Sequence, residues 1–71
     1  MSALENQVAG GHYKDMKIQP AEFIHANGIE YLAGNVIKYV CRHKKKNGAE
    51  DIRKAMHYCA LLLKLEYGQD P

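Results

Sequence analysis

Apolar residues recur through the middle of the chain as Ile29, Leu32, Ala33, Val36, Ile37, Val40 and Cys41. That is one stripe of a 3.6-residue period, so the pattern predicts an amphipathic helix from near Ile29 to about Lys46. Such a helix is about 27 Å long, and Asn47-Gly48 ends it. A second stripe runs along the same helix. Asn35, Lys38, Arg42 and Lys45 recur at spacings of three and four, which puts an amide and three cations on one face. Like charges at this spacing repel and are tolerated best against something anionic. A solvated basic face has the same composition. Gly34 costs roughly 1 kcal/mol inside a helix relative to alanine. Its place implies close approach of a neighbouring helix or of a ligand.

The flanking patterns supply two more helices. Pro20 suits a first helical position, and Gln19 before it is pushed toward extended backbone. A short helix is predicted from Pro20 to about Ala26, with Phe23 and Ile24 facing inward and Asn27-Gly28 as its stop. The last helix is predicted from about Ala49 to Tyr67, capped by Gly68. Glu50 and Asp51 suit its first turn, where the helix dipole favours acids. Its inward seam reads Ile52, Ala55, Met56, Cys59, Leu62 and Leu63, with Glu66 following. Leu61 and Leu65 fall off that seam. A helix apolar on more than one side asks for more than one partner.

The fold class is therefore all-α. The two longer helices form a small antiparallel hairpin, with the short helix and an N-terminal loop packed across it. Residues 1–11 have no periodicity and read as a flexible tail, residues 12–68 as a single helical domain, and 69–71 as a tail. A chain of 71 residues is marginal alone. Homo-oligomerisation through the helix spanning 49–67 is the expected remedy. Cys41 and Cys59 fall on apolar stripes outside any Cys-x-x-Cys pair, so they read as reduced core residues. No apolar leader opens the chain and the longest apolar run is too short to span a bilayer. The expected location is the cytoplasm of a host cell, away from membranes.

Charge sharpens the picture. From Lys38 to Lys54 there are seven Lys or Arg residues against two acids, although the whole chain carries only +2. Such concentration points to a phosphate-bearing partner. By itself the patch is too compact to settle between nucleic acid and a small nucleotide. Tyr13, Tyr31, Tyr39 and Tyr58 accompany Lys14, Lys38, Arg42 and Lys54. An aromatic beside cations can stack a base while the cations hold phosphates. Tyrosines at the edge of a core show the same pattern. His12-Tyr13-Lys14 precedes the proline-started helix, and its non-helical amides are open to an anion.

Other chemistries lack their residues. No phosphate loop is present, and Gly10-Gly11 alone is weak. His12, His25, His43 and His57 form no His-x-x-x-His pair, and no metal site is expected. Glu30, Glu50 and Asp51 are the only acids in the hairpin available to a magnesium ion. No nucleophile motif assigns a catalytic residue.

Several ordered motifs carry a resemblance. They are His12-Tyr13-Lys14, Ile18-Gln19-Pro20, Gly34-Asn35-Val36-Ile37-Lys38-Tyr39-Val40, Arg42, Lys44 to Gly48, and Glu50-Asp51-Ile52-x-Lys54-Ala55-x-x-Tyr58. Together, from His12 to about Leu65, they resemble a short domain-of-unknown-function family of phages and prophages labelled nucleotide-kinase-like or SaV-like. One branch of that family is a coliphage nucleotide kinase carrying this domain. The resemblance implies a phage origin, an all-α fold and a connection with nucleotides.

Two functional classes fit. In the first, an oligomer binds a phosphorylated nucleotide, including a cyclic one, and sequesters it, as an anti-defence sponge for a host immune signal does. In the second, the chain is a nucleoside-monophosphate kinase or another nucleotide-processing enzyme without a phosphate loop. Phosphoryl transfer needs a metal held by oxygen ligands as well as positioned phosphates. Few acids are present, so binding is the favoured class; no cofactor is then needed, and magnesium enters only with the kinase. The expected nucleotide-binding residues are His12, Tyr13, Lys14, Gln19, Pro20, Asn35, Lys38, Tyr39, Arg42, Lys45 and Lys46.

Overall fold

A computed structural model describes residues 15–71. His12, Tyr13 and Lys14 lie outside the described residues. The described chain is helical throughout, with three α-helices in order: α1 Pro20–Ala26, α2 Tyr31–Arg42 and α3 Ala49–Tyr67. A one-turn 3₁₀ helix, His43–Lys45, follows α2. No helix among the described residues is long and apolar enough to cross a membrane.

α1 starts where the proline demands. Pro20 occupies its first turn and is buried, while Gln19 is extended at the cap. The Glu22 carboxylate reaches back to accept the Gln19 N–H at 3.3 Å, one half of a capping box. Asn27 closes the helix by donating its side-chain amide to the Phe23 carbonyl at 2.9 Å. Only Ile24 turns inward as expected. Phe23 is exposed, whereas Ile24 packs over Gly34 of α2.

α2 begins two residues later than its apolar stripe suggests. Glu30 is the N-cap, and its carboxylate accepts the amides of Leu32 and Ala33. An acid at this end also offsets the helix dipole. The α-helix stops at Arg42, short of the expected Lys46, and tightens into the 3₁₀ turn. The Gly48 amide donates back to the His43 carbonyl at 2.8 Å. Gly48 itself has φ 55°, a left-handed geometry that side chains resist.

Gly34 marks the crossing of α1 and α2. A Cβ at Gly34 meets Ile24 Cγ2 at 3.2 Å, so the close approach is that of a neighbouring helix. Gly34→Val is expected to push α1 off α2 and destabilise by roughly 1–3 kcal/mol. Thermal unfolding checks this: an unchanged melting temperature contradicts tight α1 docking.

α2 and α3 are the main packing pair. Their contacts run from Arg42 with Asp51 to Tyr39 and Tyr31 with Tyr58. The inward line of α3 is therefore Asp51, Ala55 and Tyr58, rotated from the apolar seam read in the sequence. Met56 and Cys59 from that seam are exposed. Cys41 is exposed as well, so both cysteines are free thiols at the surface and not core residues. Polar side chains displaced the seam: a carboxylate and a phenol with partners on α2 pack inward in place of Met and Cys. Apolar burial is correspondingly thin. Besides Pro20 and Gly34, Ala55, at 4% exposure, is the only apolar residue among the described residues to be buried.

Candidate functional site

Tyr39 lies at the centre of a cluster that draws on both long helices. Its ring stacks on Tyr58 of α3, centroids 5.8 Å apart and planes 16° apart. Tyr31, two turns earlier on α2, meets Tyr58 edge-on at 6.2 Å. Three cations surround the same ring. Lys38 Nζ and Arg42 Cζ each lie 4.5 Å from the Tyr39 centroid, and Lys54 Nζ lies 5.4 Å away. Distances under about 6 Å make these cation–π contacts. The basic stripe of α2 thus has an aromatic plate beneath it.

One acid tempers the cluster. Asp51 is fully buried, and its Oδ1 accepts from Arg42 Nε at 3.3 Å and Nη2 at 3.1 Å. Its Oδ2 accepts the Asn47 amide at 3.2 Å. Burial pushes the Asp51 carboxyl up. The Arg42 hydrogen bonds, the Asn47 amide and the charges of Arg42 and Lys54 outweigh it and hold the group below its ordinary 3.8. Arg42 is thereby tied into the α2–α3 junction, its side chain 13% exposed. Arg42, expected among the nucleotide-binding residues, also has a structural role: it anchors a buried carboxylate. Asp51 likewise does more than offset the dipole of α3. Glu50 pairs with Arg53 at 3.4 Å on the surface. Lys38 and Lys54 make no direct ion pair among the described residues, although the charge of Lys54 acts on Asp51, so Lys38 is the less compensated of the two beside the rings.

The Tyr58 phenol is shifted up, first by its hydrogen bond with Tyr31, then by burial and by the neighbouring tyrosines. A raised phenol favours the folded state while it is neutral. That contribution is complete below the ordinary value of 10.0 and is lost as pH rises through the folded value. Tyr31→Phe is expected to bring Tyr58 ionisation back toward its ordinary range. NMR titration of the Tyr58 ring reads this directly, and an unmoved titration removes Tyr31 as the cause.

A groove adjoins this cluster between the start of α1 and one side of α2. Its volume is about 280 Å³, and its walls include Gln19, Pro20, Ile24, Ile29, Asn35 and Lys38. Four residues expected from the sequence, Gln19, Pro20, Asn35 and Lys38, are therefore brought together. Lys38 belongs to both features, lining the groove while its Nζ lies over Tyr39. A second depression beside Tyr39, about 320 Å³ in volume, is lined by Glu50, Arg53, Lys54, His57 and Tyr58.

The remaining expected residues stand apart. Lys45 is exposed and pairs with Asp15 at 3.5 Å. Lys46 is exposed just past the 3₁₀ turn. Lys54, Tyr31 and Tyr58 join the cluster although the expected site omits them; their mixture with cations along the sequence was the available signal. Ile24 and Ile29 had no such signal, because an apolar wall of a groove reads like core. Among the described residues, no three or more His, Cys, Asp and Glu side chains gather where a metal ion might sit. Glu30, an acid considered for magnesium, serves as the cap of α2.

Residues 8–60 match a protein family described as of unknown function, DUF3310. No curated protein and no solved structure matches the chain.

Proposed function

Because the chain belongs to the DUF3310 family, whose description assigns no activity, we propose its function from the site itself: it is a small nucleotide-binding protein. It holds a phosphorylated nucleotide with the base in the α1–α2 groove and the phosphate over the cation–tyrosine cluster. The observation that carries this reading is the double position of Lys38, at the groove and over Tyr39. A largely apolar cleft with a few polar groups suits a ring. Lys38 and Lys54, neither in a direct ion pair among the described residues, suit a phosphate as point charges. The resemblance to phage proteins labelled nucleotide-kinase-like supports a nucleotide as the ligand and a phage as the source. In that setting the protein sequesters a nucleotide signal of the host cytoplasm.

Incubation with nucleoside monophosphates, ATP and magnesium, followed by chromatography, tests the reading. Intact nucleotide recovered only after denaturation supports binding. Turnover makes the chain a nucleotide kinase without a phosphate loop, the second reading. The scarcity of converging acids favours the first, since phosphoryl transfer needs a held metal ion.

The working unit in this proposal is an oligomer of helical hairpins joined through α3. Its motive is thin burial: Leu65 is 71% exposed, with Met56 and Val40 also open. Light scattering at micromolar concentration is expected to give a multiple of the 8.0 kDa chain. Leu65→Lys is expected to lower that mass. A wild-type monomer contradicts the proposed assembly.

A further inference from the structure

Asn35 is 9% exposed on α2 and lines the groove. Its Nδ2 donates to the Tyr31 carbonyl at 2.9 Å. A carbonyl only accepts, so this bond fixes which end of the amide is which. The other end, Oδ1, accepts no hydrogen bond among the described residues. A desolvated acceptor without a donor is costly, and native structures seldom leave one. Pro20, Ile24 and Ile29 in the groove present no side-chain donor, and Gln19, Tyr31 and Lys38, which also line it, do not donate to Oδ1. A donor therefore has to come from water or from a ligand.

We infer that Asn35 reads the base: its Oδ1 accepts a hydrogen bond from an N–H group on the ring of the bound nucleotide. This rests on the nucleotide-binding reading above and adds a selectivity to it. The groove is slightly smaller than sites for drug-sized ligands, which span roughly 300–1,000 Å³. It suits a single ring, with the rest of the ligand outside. Lys38 marks the exit, so sugar and phosphate extend toward Tyr39 and Lys54 while the ring edge meets Asn35. One of the two Nδ2 hydrogens is committed to Tyr31, so Asn35 presents Oδ1 as an acceptor beside one remaining N–H. A base edge without an N–H donor then leaves Oδ1 unpaired, and the site disfavours it.

The test measures equilibrium binding of AMP, GMP, CMP, UMP and purine riboside monophosphate to the full chain. The last of these has no N–H donor on its base. The tightest of the four natural nucleotides is expected to bind about tenfold or more better than purine riboside monophosphate. Asn35→Leu is expected to erase that difference, whereas Lys38→Ala weakens all five together. The wild-type comparison needs no variant and stands even if Asn35→Leu does not fold. Purine riboside monophosphate binding as tightly as the best natural nucleotide overturns the role of Asn35 and leaves nucleotide binding intact. No binding of any of the five overturns both.

Discussion

Asp51→Asn lowers the melting temperature by on the order of 10 °C. The substitution keeps the shape of the side chain and removes its charge. Arg42 then keeps a positive charge at the α2–α3 junction without its buried counter-ion. Removing one partner of a buried pair is far costlier than the pair is worth, because the other charge stays desolvated. In a domain of this size even a modest loss moves the melting temperature by several degrees. The pH dependence follows from the depressed carboxyl. Stability stored in the ionised pair is present above the ordinary value of 3.8 and is lost as pH falls through the lower folded value. The variant lacks that acid-sensitive contribution, so its stability changes less with pH in this window. Calorimetry across mildly to strongly acidic buffers measures both effects. A melting temperature within a degree or so of wild type means that the Arg42–Asp51 pair does not hold the helices together.

Lys38→Ala is expected to weaken nucleotide binding about tenfold or more while the fold stays intact. A lost charge-assisted hydrogen bond costs roughly 1.5–3 kcal/mol of binding. The cation–π contact with Tyr39 contributes only about 0.5–1 kcal/mol of stability at a partly open site. Binding and stability therefore separate at Lys38. At Arg42 they do not: Arg42→Ala removes the partner of Asp51 and lowers both. Titration calorimetry paired with thermal unfolding distinguishes the two residues. Equal binding by wild type and Lys38→Ala assigns the basic face of α2 to solubility.

The sequence was a good guide wherever backbone chemistry was local. Pro20, Asn27-Gly28, Asn47-Gly48 and Gly68 bracket the helices at or near their observed ends, since proline and glycine act through their own φ angles. Gly34 was legible because a glycine inside a helix marks a close approach, here by Ile24. The inward face of α3 was legible only in part: Ala55 is buried and Ile52, Leu62 and Leu63 are half-buried as expected, whereas Met56 and Cys59 are exposed. Periodicity ranks Met56 and Cys59 above Asp51 and Tyr58, because hydropathy takes no account of a partner nine or more residues away. Arg42 meets Asp51 across the turn, and Tyr58 meets Tyr31 and Tyr39 across the helix pair. Those cross-helix pairings decide burial. The start of α2 was hidden by an uncommon cap: Glu30 does what Ser, Thr, Asp or Asn usually do. For the candidate site, helical spacing placed Asn35, Lys38 and Arg42 on one stripe. The separation of Lys38, at the groove, from Arg42, at the buried pair, required the position of α3.

The most direct test of the central claim is capture from a mixture of natural ligands. Purified protein is equilibrated with the small-molecule fraction of a bacterial lysate, washed, heated, and the released compounds identified by mass spectrometry. The account predicts a phosphorylated nucleotide enriched over the lysate by the wild-type protein and not by Lys38→Ala. Release of no nucleotide, or equal enrichment by both proteins, contradicts it.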